Sequence, residues 1–347
     1  MATAPPSPAS NVSLSKATPR LYRPLGFANG YSFTLFLFFG GLMMFFSTRR
    51  IKWYIDNTVC SRPDRSLPGE CYWFSRGLDR IGFYIHIVAI LPAGFLACLQ
   101  FIPALQRSKW ALFHRISGYV VLLLSVIGTV GAMIIGRRAV GGTLFLQAGI
   151  ATSSAMFIIA LFKAYASIKR LQIDKHREWM LRAWFYAGFI VTMRPTLIAV
   201  AVAISSPNSP YYQAMPCKVI DYILHGSHER MTQLAPGCAA YMTGDNPEQW
   251  TAIQANWTED NRVGEAAAIQ IAFIVCGWVC FFIHTVGVEV YIRMTSAESE
   301  RLKLVSQHRQ MLREKGLSDG SPSKDTTNNK RQQPESSTGS DETSSSQ

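Results

Sequence analysis

The chain has 347 residues, of which 48% are hydrophobic and only 16% charged, well below the roughly 25% charge of an ordinary soluble domain. Its net charge is +12, from 34 Lys+Arg against 22 Asp+Glu, but charge this dilute excludes the dense basic clusters of a nucleic-acid binder. The 20 Phe, 13 Tyr and 8 Trp exclude a wholly disordered chain, which leaves a membrane protein with polar ends.

Residues 1–27 are rich in Ala, Pro and Ser and carry Lys16, Arg20 and Arg23 without an acid; they read as a disordered tail. A bilayer core takes about 20 apolar residues per helix. Six runs approach or exceed that: 31–47, 81–105, 118–136, 143–168, 183–204 and 266–291. Hydrocarbon offers backbone groups no outside partner, so each run should be a helix. The first follows a long polar tail and precedes Ser47-Thr48-Arg49-Arg50, which predicts a signal anchor and not a cleaved signal peptide. The fold class is therefore all-α: a polytopic integral membrane bundle of about six helices over residues 28–293, embedded in a lipid bilayer. The C-terminal tail, 294–347, reads as disordered from Gly316, after a charged helix over 297–315. That helix either extends the last span into solvent or lies on the membrane surface.

Basic short loops favour the cytoplasm. The connection 106–117 holds Arg107, Lys109 and Arg115 and no acid, and 163–182 holds six basic residues against Asp174 and Glu178. The long loop 205–265 has three basic residues against seven acids. Both termini are thus placed inside, with loops 48–80 and 205–265 outside; the mixed charge of 49–80 is the one discordant stretch. The cysteines agree. Cys60 and Cys71 lie in the first outer loop and Cys217 and Cys238 in the long one, the pattern of two disulfides in an oxidising lumen. The long loop also carries the sequon Asn256-Trp257-Thr258. A second sequon match at Asn11 falls in the cytoplasmic tail and is discounted.

Ionisable groups in hydrocarbon are costly and default to function. Arg194 is the outlier, eleven residues into the fifth run and near mid-depth, followed by Pro195. His86, in the second run, falls at a similar depth, so the two are candidate neighbours across one cavity. At the inner face His114-Arg115 and Lys175-His176-Arg177-Glu178-Trp179-Met180-Leu181-Arg182 form a histidine and arginine cluster. It is either an anion site with Arg forks or a topogenic belt anchored by Trp179. His114, His176 and His284 fall at roughly one level, which leaves room for one b-type haem but not two. No CxxC, HExxH, GxGxxG, Walker or GxSxG pattern occurs, so no metal site is predicted, and His225 and His228 read as an incidental surface pair.

The run from His86 through Gln100, then His114-Arg115-Ile116-Ser117-Gly118-Tyr119, then Lys175–Arg182, then Arg194, resembles a family of membrane proteins designated domain of unknown function 2306, found in bacteria and fungi. The likeness covers roughly residues 81–205. It implies a four-helix core with His86, His114, His176, Arg182 and Arg194 as its polar constellation, and brings no settled activity. Fungal members are similar to membrane proteins encoded near secondary-metabolite enzymes, which implies a biosynthetic role.

The functional expectation is a membrane-embedded enzyme or enzyme accessory acting on a lipophilic small molecule, in the endoplasmic reticulum, another endomembrane or the plasma membrane. In a redox version His114 with His176 or His284 ligates one haem and Arg182 pairs with a propionate. In a non-redox version His86 is acid or base and Arg194 binds a carboxylate or enolate. The alternative is a non-catalytic transporter or membrane scaffold. The oligomeric state has no signature in the sequence. The orientation has a direct check: the chain should carry an endoglycosidase-sensitive mobility shift that Asn256→Gln abolishes, and persistence of the shift in that variant would overturn it.

Overall fold

The computed structural model describes residues 24–27, 30–55, 60, 66–106, 108–206, 208–258 and 260–316. The tails predicted to be disordered, apart from residues 24–27 and 294–316, lie outside the described residues, as does the Asn11 sequon. Six described helices are long and apolar enough to cross a membrane: α1 Gly30–Lys52, α2 Gly77–Gln100, α3 Ala111–Ile135, α4 Leu144–Lys169, α5 Ile173–Ala203 and α6 Arg262–Met294. The protein is a multi-pass helical membrane bundle.

Several ends differ from the apolar runs, for local reasons. The second run stops at Gln100 and not at 105, because Pro103 cannot continue the ladder. Helix α3 starts seven residues before its run, so His114 and Arg115 are helical. Helix α5 starts ten residues early, and all of Lys175–Arg182 is its first two turns. The charges that mask this segment in hydropathy are met by partners on neighbouring helices. Inside α1, Phe36–Gly40 forms a π-helical turn that brings Phe39 against Phe185 and His284.

Packing follows sequence order. α2 and α3 make an antiparallel pair, as do α4 and α5, joined by a tight turn in which Leu171 takes φ 58°. α6 lies along α5, and α1 lies on α2. The central core is Val121, Phe157, Trp184, Met193, Phe281 and Val288. Where α2 crosses α3 the backbones nearly touch. A Cβ on Gly131 would meet His86 N at 2.5 Å and Gly82 O at 2.8 Å. Small residues permit such approaches, which supply packing where lipid gives no hydrophobic drive.

Both disulfides are present, Cys60–Cys71 and Cys217–Cys238, at the same end of the bundle. Residues 205–261 are not the plain loop expected. They fold into a cap: β1 Tyr212–Pro216 pairs antiparallel with β2 Trp250–Gln254, with short helices between. Met215, Ile220, Met231, Ile253 and the Cys217–Cys238 bridge are buried within it, and it packs on Tyr72 and Trp73 of the first disulfide loop and on Val263, Ala266 and Ala267 of α6.

At the opposite end the chain breaks at Thr295 and a separate helix, α7 Ser296–Glu314, docks on the start of α5. Ser306 Oγ donates to Asp174 Oδ1 at 2.9 Å and accepts from Ile173 N at 2.8 Å, and Gln310 donates to the Arg170 carbonyl. A simple solvated extension of the last span is thereby corrected.

Gly131→Val should force α2 and α3 apart and cost about 1–3 kcal/mol. Thermal unfolding of the purified variant in detergent checks this, with Gly277→Ala, which has open space for a Cβ, as the control.

Candidate functional site

Helical rise places Arg194 about 14 Å below the disulfide end of α5, since nine residues separate it from Ala203. Along α5 it lies nearer that end than the other, because the helix begins at Ile173, ten residues before the apolar run. Its guanidinium lies over the Phe273 ring at 5.5 Å, and its Nε is buried with no hydrogen-bond partner among the described residues. Among them, too, no carboxylate comes within ion-pair distance. The charges that act on it are Glu70, Arg50 and the Tyr54 hydroxyl.

Glu70 opens the short helix Glu70–Phe74, whose next residue, Cys71, is in the disulfide. Leu67 packs against the cluster that Leu197 and Ala201 of α5 form with Ala255 and with Ala268, Ile269 and Ala272 of α6, which brings this segment down onto the disulfide end of α5 and α6. Burial pushes the Glu70 carboxyl above the usual carboxylate range. Arg194, the N–H groups of Val140 and Leu67, and Arg50 pull the other way without cancelling the shift. Burial likewise pushes the Tyr54 hydroxyl up. A carboxyl kept where its ionised form is disfavoured, beside an unpaired cation, is the arrangement expected of a site rather than of a stabilising pair.

His86 is not part of it. It lies nine residues into α2, at about the depth of Arg194, but its Nδ1 donates to the Gly128 carbonyl of α3 at 2.7 Å. His86 and Arg194 sit at about one depth, but their side chains are engaged on different helices, His86 on α3 and Arg194 over Phe273 of α6.

His284 is also elsewhere. Its Nδ1 donates to the Phe185 carbonyl at 2.8 Å and its Nε2 meets Thr192 Oγ1 at 2.8 Å. Phe185 lies nine residues along α5 from His176, or about 14 Å. His284 is therefore not level with His114 and His176, and both its ring nitrogens are engaged. His114 and His176 do come together, close enough for their charges to interact. His176 Nδ1 donates to the Ala164 carbonyl at 2.9 Å, which leaves Nε2 with its lone pair, while His114 Nδ1 is buried without a partner.

Arg182, Arg177 and Lys163 of the basic cluster have partners within the protein. Arg182 makes a two-pronged pair with Glu289 of α6, at 2.6 and 2.9 Å, and stacks on Trp179. Its Nη1 lies 3.7 Å from Glu178, so its charge is already matched by two carboxylates. Arg177 donates to Thr295 and Ser299, and Lys163 lies over the other partner of the belt, the Trp179 ring. His225 and His228 are exposed on the cap.

Glu70, Tyr54 and Arg50 were not singled out in the sequence. Glu70 stands among seven basic residues of 49–80 and looks like ordinary loop charge; its only signal is its adjacency to Cys71.

Residues 83–222 match the model of a family described as a predicted membrane protein (DUF2306). The matched stretch includes His86, His114, His176, Arg182 and Arg194 and omits Glu70 and Glu289. No curated protein and no solved structure matches the chain.

The Glu70 shift fixes a pH dependence. The unfolded chain releases this proton in the ordinary carboxylate range and the folded chain at higher pH. Between the two the folded state binds more protons, so stability falls as pH rises, by up to about 1.4 kcal/mol per pH unit for one proton. Thermal unfolding across pH should show this decline in the wild type. Glu70→Gln should remove it, and Arg194→Gln, which deletes the opposing cation, should carry it to higher pH.

Proposed function

We propose that this protein is a membrane-embedded enzyme or enzyme accessory that takes a lipophilic substrate from the bilayer and holds its polar head at Arg194. The observation that carries this reading is the Arg194 guanidinium, which lies over Phe273 but has its buried Nε unbonded and no described carboxylate within ion-pair reach. A charge so placed costs several kcal/mol in hydrocarbon. A carboxylate, enolate or carbonyl oxygen of a substrate supplies the missing acceptor, and the guanidinium then stabilises negative charge as it develops there. Glu70, whose carboxyl burial pushes above the usual carboxylate range, takes the proton-transfer role first assigned to His86. The biosynthetic setting implied by the family resemblance suits a lipophilic intermediate. In this reading the disulfide face, which also carries the Asn256 sequon, is lumenal or extracellular.

A second reading has its own observation. His114 Nδ1 is buried and unpartnered beside a His176 whose Nε2 lone pair is open. A carbonyl-bonded imidazole of this kind is the usual form of a metal-ligating histidine. One b-type haem held by this pair would supply one-electron transfer at the end of the bundle away from the disulfides. Arg182 and His284 have no part in it.

The primary reading is tested by native mass spectrometry of the full-length protein purified from its membrane. Acidic lipophilic molecules should co-purify with the wild type and fall about tenfold or more in Arg194→Gln, with protein yield and thermal stability kept. Equal retention, or loss of the folded protein, would make Arg194 structural. A reduced-minus-oxidised Soret and α-band absent in His114→Ala decides for the second reading; a folded wild type without those bands removes it.

A further inference from the structure

A cavity of about 250 Å³ lies at the disulfide end, where the first loop, the α3–α4 turn, the cap and α6 meet. It is smaller than the roughly 300–1,000 Å³ of drug-sized pockets. Its floor is α6, at Ala266, Ile269 and Gln270. Gln270 is 8% exposed, and its Oε1 is buried with no donor among the described residues. An acceptor left bare in such a place costs about 1–3 kcal/mol. The amide oxygen fits because residue 141 is glycine: a Cβ there would fall inside contact distance of Oε1. Gly141 belongs to three successive residues with positive φ, Val140, Gly141 and Gly142, of which the β-branched, buried Val140 is the strained one. The turn is thus bent around Gln270, with the Val140 N–H facing Glu70, which lines the same cavity.

The remaining lining defines the ligand. Arg137 and Arg138 flank the cavity, exposed and without a carboxylate at ion-pair distance among the described residues. Arg138 lies over the Trp73 ring at 4.2 Å, and Trp73 and Trp250 supply flat apolar faces alongside Met215, Val219 and Ile269. Against two arginines, with Arg194 behind Glu70, a bare ammonium ligand is repelled and an anion is drawn in. Gln270 Oε1 demands a hydrogen-bond donor from the same molecule, and the Glu70 carboxyl, which already accepts from the Val140 and Leu67 N–H groups, offers further lone pairs beside it. We propose that this cavity binds a small hydroxylated organic anion, its carboxylate or phosphate at Arg137 and Arg138, its hydroxyls on Gln270 and Glu70, and its carbon skeleton against Trp73. The cavity shares Glu70 with the site proposed at Arg194 but is otherwise lined by different residues, and this inference goes beyond that reading.

The test is thermal unfolding of the full-length protein in nanodiscs with four probes: gluconate, glycerol 3-phosphate, glycerol and acetate. Gluconate, glycerol 3-phosphate or both should raise Tm with concentration, as a ligand of the folded state does, and which of them acts identifies the anionic group. Glycerol, without charge, and acetate, without hydroxyls, should not. Gln270→Leu should leave the ligand-free Tm unchanged or higher, since it deletes an orphan acceptor, and abolish the response. Arg137→Gln with Arg138→Gln should abolish it too. The proposal is overturned if neither hydroxylated anion shifts Tm, if acetate or glycerol acts as well as they do, or if Gln270→Leu keeps the response. A response that survives in Arg194→Gln shows this site standing without the other.

Discussion

The structure turns on one electrostatic constraint: a guanidinium that cannot lose its proton sits about 14 Å below the end of α5. Water is not freely available at that depth, so polar matter has to be brought down to it. The chain does this with a segment that belongs to no span. Leu67 seats on α5, Glu70 follows above Arg194, and Cys71 ties the segment to Cys60. The α3–α4 turn leans in to offer Val140 N–H to the carboxyl, and the cap closes over Tyr72 and Trp73. The geometry of one end of the molecule is thus arranged around a charge that is answered at a distance and not neutralised by contact.

Away from that end the Arg182–Glu289 ion pair joins α5 to α6, and neutral bonds join the rest of the bundle. Three histidines each donate Nδ1 to a carbonyl of a neighbouring helix: His86 to Gly128, His176 to Ala164 and His284 to Phe185. A carbonyl only accepts, so each ring is fixed in one tautomer. These bonds tie α2 to α3, α5 to α4 and α6 to α5. The Gly82, Gly128 and Gly131 crossing, which lets α2 and α3 approach, is what brings His86 within reach of its carbonyl.

The six spans and both disulfides were legible in the sequence because their signals are local: an apolar run, or paired cysteines in two loops. What the sequence concealed was pairing at long range. Helix α5 looked short because Lys175–Arg182 is charged, and only its partners Glu289, Thr295 and Ser299, more than a hundred residues away, show why it is helical and anchored. The two strands of the cap are separated by over thirty residues, and neither forms a sheet face alone. Arg194 announced itself as a charge inside an apolar run. Glu70 did not, since in a loop a glutamate is unexceptional until its burial is known. Gln270 was equally visible as a lone amide in an Ala/Ile-rich helix and was passed over because it carries no charge.

The Cys60–Cys71 bridge has a meaning for biogenesis. The spans are specified by their own hydrophobicity and need no oxidant to insert. The acid that answers Arg194 is different: its neighbour Cys71 is held by a covalent link, a bond that forms only under oxidising conditions. A copy kept reduced would have its helices in the bilayer and its intramembrane cation exposed. Ordering of the polar end therefore depends on thiol oxidation, which insertion of the apolar spans does not require.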